Sequence, residues 1–150
     1  MDEEMNTEDK KLAEELRCDE GFKCMPYIDT VGIPTIGIGR NMKAKPIPQH
    51  WTFPLSDDQV GYLLAEDLGD VFSDLDRELP WWRDLSYARQ RVMANMCFNM
   101  GISGLCTFKN TLAYVQSGNY CLAAEHMLES KWAKQVGDRA NRLALMMREG

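Results

Sequence analysis

LRCDEGFKCMPYIDTVGIPTIGIGRN, residues 16–41, changes character twice within a few turns of chain. Upstream, Thr7 followed by Glu8 and Asp9 predicts a helix start with acids in the first turn, and Leu12, Ala13 and Leu16 give it a narrow apolar stripe. That stripe ends at Asp19-Glu20-Gly21, with Gly21 the expected stop. From Tyr27 to Ile38 the chain is rich in β-formers and punctuated by Gly32, Gly37 and Gly39. The pattern predicts a hairpin or small three-stranded sheet turning around Asp29-Thr30-Val31-Gly32. Pro34, lacking an amide donor, is expected to confine its strand to an edge or a bulge.

Working outward, KAKPIPQHWTFP, residues 43–54, holds Pro46, Pro48 and Pro54 and reads as an irregular loop. Ser56 and Gln59 then fit a capping box, and Val60, Leu63, Leu64, Leu68, Val71, Phe72, Leu75 and Leu79 keep helical spacing until Pro80. Apolar residues recur at helical intervals from Ala88 to Met100, the turn GISG follows, and further helices are expected around 109–116, 120–133 and 138–148. The fold class predicted is α+β, mainly α, in one domain over 1–150. Its parts are a β-containing lobe over about 20–58, a connecting helix over about 57–79 and a helical lobe over about 80–150, joined by an N-terminal helix over 8–19.

Composition narrows the function classes. The 150 residues are 45% hydrophobic and 27% charged. No run approaches the ~20 apolar residues of a membrane span, and the acidic start MDEEMNTEDKK lacks the pattern of a secretory signal. Five cysteines (18, 24, 97, 106 and 121) form no CxxC pair, so reduced thiols are expected. With only His50 and His126 available, no metal site is expected, and no cofactor. A net charge of −6 argues against a nucleic-acid partner. The methionines at 93, 96, 100, 146 and 147 read as adaptable core packing.

Two carboxylates on different elements give the opening stretch a chemical sense. Glu20 closes a predicted helix, where the negative end of the helix dipole disfavours further negative charge and a carboxyl suits the work of a proton donor. Asp29, nine residues on, sits on or beside a strand. One protonated and one ionised carboxyl facing each other is the arrangement that glycoside hydrolysis requires, and Thr35 offers a hydroxyl to hold a water. Read alone, the same residues also fit a solvated helix end and a turn former.

The stretch resembles the catalytic segment of the phage-type lysozymes, glycoside hydrolase family 24, in which Glu, eight residues, a carboxylate or thiol, five residues and Thr precede TIGIG; Glu20, Asp29 and Thr35 keep those intervals. RQRVMANMCFNMGISGLCTFKNTL, residues 89–112, and WAKQVGDRANR, residues 132–142, are similar to the family's helical half, so the likeness spans most of 12–142. It implies a lysozyme-like two-lobed fold, a muramidase acting on peptidoglycan, Glu20 as general acid, Asp29 as second carboxylate and Thr35 positioning water. Arg139 matches the arginine that pairs with the catalytic glutamate, and Asn41, Phe98, Thr111 and His126 match substrate contacts. The resemblance further implies a monomer without membrane insertion that accumulates in the host cytoplasm and reaches the wall when a separate holin opens the membrane, with inversion at the cleaved bond. Alternatives are a non-catalytic wall-binding protein of the same fold and a glycosidase on chitin-like polymers. The chain departs from the family in carrying Arg40 where relatives have His, so a His–Asp pair is not expected there, and in its acidity, which predicts slower capture of an anionic wall.

Overall fold

The computed structural model describes residues 5–150, which fall into two compact units, one ending at Asp70 and the other running Val71–Gly150. It is mainly helical with one small sheet.

In the first unit, α1 spans Thr7–Glu20. Its cap is Asn6, one residue before the expected start, whose Oδ1 accepts from the Asp9 amide at 2.8 Å. Gly21 ends it, its amide donating to the Arg17 carbonyl. The sheet follows as β1 (Lys23–Ile28), β2 (Pro34–Gly37) and β3 (Arg40–Asn41), antiparallel in the order β1-β2-β3. Tyr27 pairs with Thr35, Ile28 with Pro34, and Thr35 with Asn41. Pro34 therefore lies in the central strand and not at an edge; it is tolerated there as the strand's first residue, where the ladder has only begun. The register slips between Lys23 and Tyr27, the stretch that contains Pro26. The loop after β3 is tied back to β1 by the Leu55 amide donating to the Cys24 carbonyl.

The capping box is reciprocal, with the Ser56 amide donating to Gln59 Oε1 at 2.8 Å and the Gln59 amide donating to Ser56 Oγ at 3.1 Å. It opens α2, Asp57–Glu78, which runs from the first unit into the second. Leu12, Leu16, Ile36, Ile38, Leu55, Val60, Leu63, Leu64 and Leu68 are the buried apolar residues of the first unit.

The second unit continues through a short 3-10 helix, Pro80–Asp84, into α3 (Tyr87–Cys106), α4 (Lys109–Ser117), α5 (Tyr120–Glu129), α6 (Lys131–Val136) and α7 (Asp138–Glu149). The expected turn at GISG is a kink, with Gly101 at φ +77° interrupting α3. The helix expected over 120–133 is two, because the Ser130 hydroxyl caps α6 by accepting from the Ala133 amide. Met93, Met96 and Met147 are buried, as their reading as core requires, whereas Met100 and Met146 are half-buried; Met127, not named in that reading, is buried too. All five cysteines are free thiols, and burial pushes that of Cys97 up to about 12.

Candidate active site

Glu20, Asp29, Thr35 and Asn41 belong to the first unit, and Phe98, Thr111, His126 and Arg139 to the second. Glu20 is the last residue of α1 and is half-buried. Its side chain rests against Gly39, where an added Cβ would stand 2.9 Å from Glu20 Oε1 and 3.2 Å from its Cδ. Only glycine permits that approach, and φ +66° at Gly39 demands glycine a second time.

Asp29 is held by its own turn. Oδ1 accepts the amides of Val31 at 2.9 Å and Ile33 at 2.8 Å, while the Asp29 amide donates to the Ile33 carbonyl. One carboxylate oxygen is thus fully engaged and the other is left for chemistry. Thr35, buried on β2, donates its hydroxyl hydrogen to the Ile33 carbonyl at 2.8 Å. Its oxygen then has only lone pairs to offer, so a water at Thr35 must donate to it.

Tyr27 was missed by the sequence reading, which took it only as the start of a β-rich run. It stands directly across from Thr35, and directly paired residues project from the same face of a sheet. Burial first, then the charges of Glu20 and Asp29, raise its phenol above the usual tyrosine value, so both carboxylates act on one hydroxyl and keep it protonated. The signal available in sequence was the period of two, which puts residues 27 and 29 on one side of the chain.

β3 leads the chain away from Gly39 through Arg40, which is 4% exposed. Its guanidinium donates to Glu66 Oε1 at 2.8 Å, Asp67 Oδ1 at 2.9 Å and the carbonyls of Lys45 and Pro46. Lys45 adds ion pairs with Asp67 and Asp70. No His–Asp pair forms at position 40, but a buried arginine serves there, filling both acceptor carboxylates and closing the loop that follows. Asn41 spends its Oδ1 on the amides of Lys43 and Ala44. A hollow of about 730 Å³ in this unit lies between α1 and α2 around Ala13 and Tyr62 and includes none of the predicted site residues.

In the second unit, Thr111 and His126 are brought together. Both line a hollow of about 310 Å³ with Thr107, Phe108, Lys109 and Asn110. The His126 ring sits 5.0 Å from that of Tyr114, the two planes tilted by 56°. Arg139 Nε donates to Oδ1 of Asn95 at 3.0 Å, and Asn95 is fully buried. Phe98 is half-buried on α3, beside Asn99, whose Oδ1 accepts from the indole of the buried Trp132 at 2.7 Å. Among the described residues no group of three or more His, Cys, Asp or Glu side chains could hold a metal ion, and no helix is long and apolar enough to cross a membrane.

The model of the Phage lysozyme family matches residues 17–149. Among curated relatives, the pre-baseplate central spike protein Gp5 of Enterobacteria phage T4 is 28% identical over 159 residues, an alignment covering 93% of this chain but 28% of the spike protein. This chain thus spans about a quarter of that relative's length. Two proteins of Dictyostelium discoideum named probable T4-type lysozymes 1 and 2 are 28% and 25% identical, covering 90% and 93% of this chain and 92% and 94% of their own lengths.

Proposed function

Because the chain belongs to the Phage lysozyme family, a family of glycoside hydrolases, we propose that it is a muramidase that hydrolyses the β-1,4 bond between N-acetylmuramic acid and N-acetylglucosamine in peptidoglycan. Glu20 protonates the leaving oxygen, Asp29 acts as the second carboxylate and Thr35 positions the attacking water. The observation that carries this reading is the division of labour in the hairpin. With Oδ1 of Asp29 taken by two amides and the Thr35 hydrogen taken by the Ile33 carbonyl, a water can donate one hydrogen to Asp29 Oδ2 and the other to Thr35 Oγ1. Both its hydrogens are then engaged, and a lone pair is directed away from the protein toward an anomeric carbon. Such a water fits inversion, in which the second carboxylate activates the nucleophile on the face opposite the acid.

Arg139 pairs with Glu20 in this reading, and its tie to buried Asn95 gives it a fixed base. Asn41, Phe98, Thr111 and His126 contact the glycan, with support from the shared hollow of Thr111 and His126. Acting as a monomeric endolysin, the protein waits in the host cytoplasm for a separate holin to open the membrane.

The test is release of reducing ends from purified peptidoglycan by the wild type and by Glu20→Gln, with folding of both checked by circular dichroism. Loss of general acid catalysis lowers the rate by roughly 10²–10⁴-fold. If neither folded protein cleaves, the chain is a wall-binding protein with a lysozyme fold, and if chito-oligomers are cleaved in preference, it is a chitin-type glycosidase.

A further inference from the structure

Tyr27 has no task in the acid and base chemistry of Glu20 and Asp29, yet it is placed among the groups that carry it out. It is the cross-strand partner of Thr35 and lies two residues before Asp29, so its ring projects from the Thr35 face of the hairpin. The opposite face carries Ile28 and Pro34, both exposed, and is a different surface. The ring is half-buried, which ordinarily obliges a tyrosine hydroxyl to find an acceptor. Among the described residues, however, the Tyr27 hydroxyl donates no hydrogen bond to a protein group, although Glu20 and Asp29 are close enough to act on it electrostatically. Asp29 Oδ1 is already filled by two amides. What remains is a neutral donor with no part in proton transfer, beside a carboxyl whose proton is committed to the leaving oxygen and a carboxylate that can only accept.

We propose that Tyr27 is a specificity-determining residue, its phenol donating a hydrogen bond to an oxygen of the saccharide ring seated between Glu20 and Asp29. This rests on the muramidase reading. The acceptor is a hydroxyl or acetamido oxygen of an amino sugar, and a ring lacking an oxygen at that place leaves the donor without a partner.

The probe is a tetrasaccharide of alternating N-acetylglucosamine and N-acetylmuramic acid. In the Glu20→Gln background, calorimetry should show Tyr27→Phe weakening its binding about 5–10-fold, the effect of one neutral hydrogen bond. With Glu20 intact, Tyr27→Phe should raise KM by a similar factor and leave kcat within about twofold. Equal affinity in a folded Tyr27→Phe variant overturns the proposal. Should that variant lose stability, tyrosine labelled with carbon-13 at Cζ in the Glu20→Gln chain decides the matter. A shift of the Tyr27 resonance and a rise of its titration midpoint on adding the tetrasaccharide support the assignment, and an unmoved resonance and midpoint overturn it. A wild type that cleaves while Tyr27→Phe behaves identically removes only Tyr27 from the account, whereas a folded wild type without cleavage removes the muramidase reading itself.

Discussion

The first unit holds its predicted site residues with polar ties, whereas the second sets its own on a packed apolar frame, with one polar tie from Arg139 to Asn95. Around the hairpin, Asp29 is fixed by amides, Thr35 by a carbonyl and Gly39-Arg40 by a guanidinium with two carboxylates. In the helical unit, Met127, Leu143 and Met147 are 0% exposed, and the polar residues of interest hang from that apolar frame. In the proposed muramidase the carboxylates meet water and sugar and cannot be packed in hydrocarbon, so their precision has to come from directional bonds, each of which is specific and individually breakable.

Four measurements strain this contrast. The largest effect belongs to Arg40→Met, which leaves Glu66 and Asp67 with only the more exposed Lys45 as a cation and should cost about 3–5 kcal/mol in denaturant unfolding. Restoring much of that loss with Asp67→Leu in the same chain would show that the cost is excess buried negative charge, which Lys45 alone does not offset, and not lost packing. Leu143→Ala should cost about 2–5 kcal/mol by opening a cavity beside α7, with the hollow lined by Thr111 and His126 retained. If it abolishes cleavage without unfolding the chain, packing matters to the site more than the contrast allows. Gly39→Ala should cost about 1–2 kcal/mol through its backbone conformation. It should reduce activity further than that figure implies, because the new methyl displaces the Glu20 carboxyl; a variant as active as the wild type would sink the close approach.

The smallest effect is electrostatic and lies in the helical unit. Hydrogen bonds from Arg83 and then the Trp82 indole hold the Asp76 carboxyl below its usual range. A carboxylate depressed by folding adds stability above its unfolded value of about 4, and that contribution fades as pH falls through the folded value. Asp76→Asn should therefore flatten the thermal midpoint against pH in the acid range below about 4. Because Asp76 is half exposed, the change should be small, and one as large as that of Arg40→Met would refute the contrast.

Much of this was legible in sequence because it is local. The capping box, the stop at Gly21 and the hairpin turn depend on residues within a few positions of one another, and all three stand where the pattern put them. Pro34 misled because strand order is not local: nothing within the hairpin says that a third strand will pair on the far side of β2. The broken helix at Ser130 was hidden because Ala123, Ala124, Met127 and Trp132 keep an apolar spacing across the break. Tyr27 escaped for a different reason. A tyrosine in a strand looks like packing until its cross-strand neighbour is known. Arg40 was noticed only as a missing histidine, since its acceptors Glu66 and Asp67 lie 26 and 27 residues away.

The side-chain hydrogen bonds that aim Asp29 and Thr35 all close within residues 29–35, while the strand pairings of Thr35 with Tyr27 and Asn41 hold that stretch in the sheet. That half of the constellation is therefore a seven-letter cassette in its side-chain bonds, dependent on the flanking strands for its place but indifferent to the length of the chain beyond them. Residues inserted into the proline-rich loop between 43 and 54 would lengthen the protein and leave the cassette readable, whereas a single residue added or removed inside it would shift the frame of every bond at once. Tolerance to insertion should accordingly drop to nothing across those seven positions, drawing the outline of the site without any assay of where a sugar binds.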